Sequence, residues 1–309
     1  MAQSSRPVLR LGTRGSPLAL AQARMVRDAL AAAQGFAPER ISIEVIRTTG
    51  DRITGSLADA GGKGLFTKEI EEALAGGTID LAVHSSKDLP AELPAGLELA
   101  AFLEREDPRD AFVSHKGASI DALPRGASVG TSSPRRQALL LRIRPDLRVV
   151  ALRGNVETRL RRLDEGVADA TLLALAGLKR LGRQADATAV LAVEDFLPAV
   201  GQGAIGIEIR AADAKTSALL ASINHAATAA ALSAERAFLA AFEGTCCTPI
   251  AGHAMVEGNR LKLRGMIVKP DGSQAFEATR AGAVSDAAAL GADAGHELKG
   301  RAGSDFFTT

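Results

Sequence analysis

Three groups of residues in this 309-residue chain combine reactive side chains with a spacing that chemistry can use. The first is the stretch Glu243-Gly-Thr-Cys-Cys-Thr-Pro-Ile250, which holds the only two cysteines, Cys246 and Cys247, side by side. A disulfide between sequence neighbours is strained, which argues against a structural bridge. A zinc site needs further ligands at short spacing, and the five histidines show no such spacing. What remains is a buried, inert pair or a thiol that reacts, and free cysteine is commonly buried. The second group is His84-Ser-Ser-Lys-Asp-Leu-Pro90. Asp88 follows an apolar run and precedes a proline, which places it at the carboxyl end of a strand, with Lys87 beside it. Such a carboxylate suits acid–base work or the stabilisation of a cation, and it equally suits a plain turn. His84 and the other histidines read as structural or solvent-exposed.

The third group is a set of cationic and hydroxyl side chains at the starts of expected helices. Arg14 and Ser16 precede one, Thr131, Ser133, Arg135 and Arg136 surround a second, and Arg153, Gly154 and Arg159 bracket a third. Free backbone N–H groups and the helix dipole favour an anion at such places. Capping alone explains the serines but not the arginines, whose planar forks suit carboxylates. The charge is placed to match. The whole chain carries a formal +1, yet Thr131 to Arg180 holds eleven Lys/Arg against five Asp/Glu. A solvated basic face is one reading of that excess, and a cleft for a polyanionic small molecule is the other.

Those groups need elements to hold them. Val8 to Gly12 reads as a strand, and Ser16-Pro17 as an N-cap followed by the first helical position. Apolar residues then recur at helical spacing to Ala33. Ile41 to Thr49 alternates like a strand with one exposed face, and Ile79 to Ser85 is an apolar strand running into the Asp88 segment. Leu97 to Leu103 is a further strand. The middle of the chain repeats the scheme of strand, turn, Ser-Pro and helix, and Phe196 to Ala204 leads back to extended chain. That alternation argues for parallel sheets with crossover helices. The expected fold class is therefore α/β, in two domains joined by a double crossing: residues 1–103 with 204–221, and the arginine-rich 109–197. The ligand site is expected between them, outside the carboxyl ends of strands. Residues 226–309 read as a small α+β domain, with antiparallel strands and turns at Glu257-Gly-Asn and Pro270-Asp-Gly. The cysteine pair lies in the loop after its first helix. Gly61-Gly-Lys-Gly-Leu-Phe66 lacks the full spacing of a phosphate loop.

Composition narrows the classes. No apolar run approaches a membrane span, the first residues lack a secretory pattern, and two cysteines suit a reducing cytoplasm. Tryptophan and tyrosine are absent, so a stacking platform for single-stranded nucleic acid is disfavoured.

Nine stretches then stand together and in order: GSPLALAQA, GGKGLFTKEIE, DLAVHSSKDLP, EREDPRDAFVS, VGTSSPRRQ, LRGNVETRL, AGLKRLG, LPAVGQGAIGIE and EGTCCTPI. With them the chain strongly resembles the porphobilinogen deaminases, also called hydroxymethylbilane synthases, most densely from Gly12 to Ile250. The resemblance implies three domains, the first two similar to class II periplasmic binding proteins. It implies a dipyrromethane cofactor joined by a thioether to one cysteine, and the loop pattern selects Cys246. Cys247, Thr245 and Pro134 depart from the residues common at their positions. The resemblance also implies Asp88 as the catalytic group. Arg14, Ser16, Lys87, Thr131, Ser133, Arg135, Arg136, Arg153, Gly154, Arg159, Arg180 and Gln202 are implied to bind cofactor and substrate. The expected activity is that of a transferase making a linear tetrapyrrole for porphyrin and haem biosynthesis. It condenses four porphobilinogen molecules, with no metal, nucleic acid or membrane, as a cytoplasmic monomer. A cytosolic organic-anion sensor on the same two-domain layout is the alternative, and such a sensor has no need of a pyrrole on Cys246.

Overall fold

A computed structural model describes residues 7–52, 66–242, 248–303 and 305–307. Cys246, Cys247 and the glycines of GGKGLF lie outside the described residues. In chain order the strands and helices are β1 (Leu9–Thr13), α1 (Pro17–Gln34), β2 (Ile41–Val45), α2 (Thr49–Arg52), α3 (Lys68–Ala75), β3 (Leu81–Ser85), β4 (Leu97–Phe102), β5 (Asp110–Ser114), β6 (Ser128–Gly130), α4 (Pro134–Ile143), β7 (Arg148–Val150), α5 (Val156–Asp164), β8 (Ala170–Ala174), α6 (Leu175–Arg180), β9 (Ala189–Val190), β10 (Ile205–Arg210), α7 (Ala214–Leu220), α8 (Ala226–Ala240), β11 (Ile250–Glu257), β12 (Arg260–Val268), β13 (Ala275–Ala283) and α9 (Ala287–Ala302). The chain divides into two compact units, Met1–Arg105 with Ala204–Ala229 and Glu106–Gly203 with Ala230–Thr309.

The first unit is built on a five-stranded sheet in the order β2-β1-β3-β10-β4. β1 pairs in parallel with β2 and β3, whereas β10 runs antiparallel to β3 and β4. The sheet is thus mixed rather than purely parallel. The parallel pairs need crossover helices, and α1 supplies one; β10 instead enters after the chain has visited the other unit, so no crossover constrains its direction. Helix α1 starts as expected, with Ser16 as N-cap accepting from the Ala19 N–H at 3.2 Å and Pro17 in the first turn. Ala23, Val26 and Leu30 on one α1 face pack on Leu9, Leu11, Leu81, Val83, Ile205 and Ile207 of the sheet. Each such side chain taken fully out of water contributes roughly 1.5–3 kcal/mol. The other sheet face is covered by Ile70 and Leu74 of α3, against Ile79 and Ala82.

The second unit repeats the plan in the order β7-β6-β8-β5-β9. Its antiparallel member is the first strand to enter it, β5, which pairs with β8 and β9, while β6 is parallel to β7 and β8. The same unit contains an antiparallel three-stranded sheet β11-β12-β13. Its two hairpins turn at the expected places, with Gly258 at φ 59° and Gly272 at φ 77°. Val268 of β12 joins the apolar cluster of Phe112, Leu139, Leu140 and Leu172, so this sheet packs on the arginine-rich α/β layer. Helices α8 and α9 approach so closely that a Cβ on Gly291 would stand 2.0 Å from the Ala234 carbonyl oxygen.

Candidate active site

The sequence-expected residues of the first unit gather at the carboxyl ends of β1 and β3. After β1 the chain turns through Arg14 and Gly15 into the Ser16 cap. After β3 it makes a single 3₁₀ turn, Ser86–Asp88. Between these two strand ends lies a pocket of about 410 Å³, counting the solvent at its mouth, lined among others by Arg14, Ser16, Gln22, Phe66, His84 and Asp88. The Arg14 guanidinium lies 4.3 Å from the centre of the Phe66 ring, a cation–π contact. Gln22, fully inside the fold, holds Ser85 through a 2.8 Å hydrogen bond, which fixes the strand end just before Asp88. Lys87 is not among the residues lining this pocket.

Beneath the pocket the sequence reading missed a buried polar pair. His84 on β3 stands opposite Gly206 of β10, and Glu208 is two residues further along the same face. Gly206 has no side chain to fill that place, so the imidazole reaches along to Glu208, Nε2 to Oε2 at 3.0 Å. Both side chains are almost wholly buried, 4% and 0% exposed. A second buried carboxyl, Glu71 of α3, approaches the pair; burial pushes its pKa up, and the Glu208 charge pushes it further.

In the second unit, α4 begins with Ser133 as N-cap and Pro134 behind it, and the Thr131 hydroxyl accepts from the Ser133 N–H at 3.2 Å. Arg135 and Arg136 are buried, 4% and 5% exposed, so neither belongs to a solvated basic face. The reason is Asp110, at the start of β5 and itself wholly buried. One of its oxygens accepts from Arg135 at 2.8 Å, the other from two nitrogens of Arg136 at 2.9 and 2.7 Å. Arg135 also donates to the Leu197 carbonyl and Arg136 to the Leu172 carbonyl, each at 2.8 Å. One carboxylate does not balance two guanidinium charges, and burial holds Arg135 below its ordinary pKa. Asp110 sits in the EREDPRD motif, yet a carboxylate at a strand start carries no sequence mark of its partners.

Arg180, at the end of α6, donates to the Gly203 carbonyl at 2.6 Å, and burial lowers its pKa to about 10. The Gly203 backbone is at φ 90°, and a Cβ there would meet the Glu106 carbonyl oxygen at 2.2 Å, so only glycine fits. Gln202 donates to the Pro108 carbonyl at 2.7 Å. At the start of α5, Asn155 caps through Thr158, and Arg159 donates to the Gly154 carbonyl at 2.8 Å. Arg153 stands beside this turn and is half-buried. The Nε atoms of Arg135 and Arg180 are buried without a partner. A buried donor left unbonded is costly. The second unit therefore buries the guanidinium groups of Arg135, Arg136 and Arg180 with fewer bonds than they can make. Among the described residues no cluster has metal-binding composition, and no helix is long and apolar enough to cross a membrane.

Comparison with known proteins adds identity to this geometry. A family model described as "Porphobilinogen deaminase, dipyromethane cofactor binding domain" matches residues 9–218, and one described as "Porphobilinogen deaminase, C-terminal domain" matches residues 229–300. The porphobilinogen deaminase of Nitrobacter winogradskyi is 62% identical over 299 residues, 96% of this chain and 95% of that one. That of Paracoccus denitrificans is 55% identical over 300 residues, 97% and 96% of the two chains. Among solved structures, an ABC-transporter periplasmic substrate-binding protein from Coxiella burnetii is similar to 70% of this chain and 92% of its own, with 16% identity and a TM-score of 0.43.

Proposed function

The chain belongs to the porphobilinogen deaminase family, and from that premise we propose how its own residues carry the family's reaction. It is a transferase that removes ammonia from porphobilinogen and joins four such units head to tail, releasing hydroxymethylbilane for porphyrin biosynthesis. The dipyrromethane cofactor supplies, when bound, the pyrrole α-carbon onto which the first unit is joined.

The observation that carries our assignment of roles is the pocket at the carboxyl ends of β1 and β3, lined by Asp88 together with Arg14 and Ser16. Porphobilinogen carries an acetate and a propionate, and its pyrrole nitrogen becomes cationic as ammonia leaves. Asp88 lines a pocket partly walled off from solvent, where a carboxylate is worth more to that cation than in bulk solvent. Arg14, held over Phe66, and Ser16, at a helix start, receive substrate carboxylates there. Lys87 adds positive charge next to Asp88 in sequence.

The residues of the second unit hold the cofactor's carboxylates. Arg135 and Arg180 supply buried positive charge to this task, each with an Nε left unbonded within the protein. Arg136, Arg153 and Arg159 add charge around them. Thr131, Ser133 and the Gly154 turn offer hydroxyl and backbone groups at helix starts. Gln202 positions the chain between Pro108 and Gly203. Cys246 is the attachment point; as a tether it holds the acceptor at high effective concentration. Residues 226–309 form the domain that carries it, a division supported by the separate family model over residues 229–300. The reading extends to a monomer working in the cytoplasm.

Intact mass of the denatured protein tests this assignment, before and after incubation with porphobilinogen, alongside Cys246→Ser. The expected result is an excess of two condensed pyrrole units, absent from the serine variant. An excess retained by Cys246→Ser overturns the attachment. Asp88→Asn is expected to fold and load but to lose most turnover; near-normal turnover removes Asp88 from the mechanism.

A further inference from the structure

The antiparallel sheet and the end of the chain enclose a second pocket, none of whose lining residues belongs to the Asp88 pocket. It measures about 600 Å³, counting the solvent at its mouth, against about 410 Å³ for the Asp88 pocket. Local chemistry builds its two sides. On one side the β12–β13 hairpin closes through the Lys269 N–H on the Gln274 carbonyl at 2.8 Å, with Gly272 in a left-handed turn, so Lys269 and Gln274 face each other across one fixed turn. On the other side Gly303, at φ 73°, ends α9 and turns the chain. Phe306 then packs on Phe276 of β13, with ring centres 5.3 Å apart, and is buried. Arg301, in the last turn of α9, lies 4.8 Å over the centre of the Phe276 ring.

Docking of the chain end accounts for the buried Phe306, but not for the hollow or for its polar lining. Protein interiors are close-packed, and a tail held by packing alone leaves no gap of this size. Two cations, Lys269 and Arg301, line it against one carboxylate, Asp305. Among the described residues the Lys269 ammonium has no hydrogen bond or salt bridge, though its charge is felt by Asp271 in the same turn. Arg301 makes both of its hydrogen bonds from one nitrogen, Nη1, to the Glu277 carbonyl at 3.0 Å and the Glu297 carboxylate at 3.1 Å. Its Nε and Nη2 form the side-on edge that can hold a carboxylate by two parallel bonds, and neither is bonded within the described residues. The Arg301 side chain is 45% exposed, so a ligand can reach it. Asp305 already interacts within the chain, and a carboxylate can accept from more than one donor.

We propose that this pocket is a second ligand site, for a small flat ring that carries carboxylate and ammonium arms. The Phe276 and Phe306 rings and the guanidinium plane of Arg301 suit the ring. Lys269 and Arg301 suit the carboxylates, and Asp305 suits the ammonium. A concave place of this size, with aromatic walls and a few polar groups, is the usual form of a small-molecule site. Porphobilinogen has this chemistry, with two carboxylates and one aminomethyl group; an aromatic amino acid has it with one carboxylate. Two lining cations against one lining carboxylate match porphobilinogen group for group. Ring contacts also lead from the pocket toward the cofactor end of the domain. Phe306 meets Phe307 with centres 5.2 Å apart, and Phe307 meets Phe242 at 6.4 Å, four positions before Cys246 in sequence. The porphobilinogen arm of the test below rests on the reading of Asp88 as the catalytic group.

Labelling with fluorophenylalanine tests it, since the chain has only ten phenylalanines, and Phe276→Leu and Phe306→Leu assign the two ¹⁹F resonances of interest. Porphobilinogen is titrated into Asp88→Asn holoenzyme, which is expected to load but not to turn over, and L-phenylalanine into the parent holoenzyme. The expected result is a saturable shift of both resonances with porphobilinogen and a weaker one with L-phenylalanine. Lys269→Gln, which breaks no hydrogen bond or salt bridge of the fold, is expected to raise the concentration needed several-fold. Adding Arg301→Gln is expected to bring the rise to at least about tenfold, the size that losing charge-assisted bonds predicts. A response to L-phenylalanine alone keeps the site and makes its ligand an amino acid. No saturable shift with either ligand, or a titration unchanged in Lys269→Gln, overturns the proposal. Turnover surviving in Asp88→Asn sinks the reading of Asp88 and leaves this pocket to be decided by the same titration in Cys246→Ser, which has no covalent acceptor.

Discussion

Replacing Asp110 with alanine removes the single carboxylate shared by Arg135 and Arg136. Three charge-assisted hydrogen bonds disappear, one from Arg135 and two from Arg136. Neither guanidinium can turn to water, since all three side chains lie within a few per cent of full burial. Each arginine keeps one bond to a backbone carbonyl, Leu197 or Leu172, which supplies a dipole but no charge. Breaking one partner out of a buried pair costs about 3–5 kcal/mol, because the remaining charge is left uncompensated. For a folding unit of this size a loss of that order lowers Tm by roughly 6–20 °C. Thermal unfolding of Asp110→Ala by circular dichroism reads the shift directly. Adding Arg136→Met to Asp110→Ala removes one stranded charge, so the double variant is expected to be more stable than Asp110→Ala alone, a sign that simple loss of packing does not produce. A Tm within about 2 °C of the parent would refute the reasoning, since that is less than 1 kcal/mol in a unit of this size. A double variant less stable than the sum of the two single ones would refute it too.

Three further outcomes follow from the same geometry. Arg180→Leu removes a buried guanidinium with an unbonded Nε, so thermal stability is expected to hold or rise, while porphobilinogen turnover and cofactor loading fall at least tenfold. A variant that loads and turns over normally would exclude Arg180 from carboxylate binding. Glu71 is easier to protonate folded than unfolded. Its contribution to stability is therefore full below the ordinary carboxyl pKa and is lost as pH rises through the elevated folded value. Glu71→Gln should lack that loss, so its Tm relative to the parent should climb with pH over that interval in a series of melts. Ser133→Ala deletes the cap that accepts from Arg136 N–H; urea unfolding should show a loss of about 1 kcal/mol, the usual worth of an N-cap.

Much of this molecule is written in short-range chemistry. Ser16-Pro17 and Ser133-Pro134 start helices because a hydroxyl caps and a proline fits the first turn, and both do so here. Glycines at Gly258 and Gly272 turn the hairpins of the last sheet because only they enter the left-handed region freely. Asp88 falls at a strand end because an apolar run stops there. These depend on neighbours within four residues, so periodicity and turn chemistry reveal them. The family, too, was legible, since nine ordered motifs leave little room for coincidence.

Other features depend on which distant residues meet, and no local pattern carries that. The antiparallel direction of β10 and β5 was not legible, because alternation of strand and helix says nothing of a strand that arrives from another unit. Arg135 and Arg136 looked like arginines at a helix start; that Asp110, 25 residues upstream of Arg135, lies between them is a fact of the fold. His84 looked incidental until β10 brought Glu208 to it across 124 residues. Local sequence determines which backbone conformations are cheap, whereas a buried charge finds its partner only when packing has removed the water that would otherwise have served it.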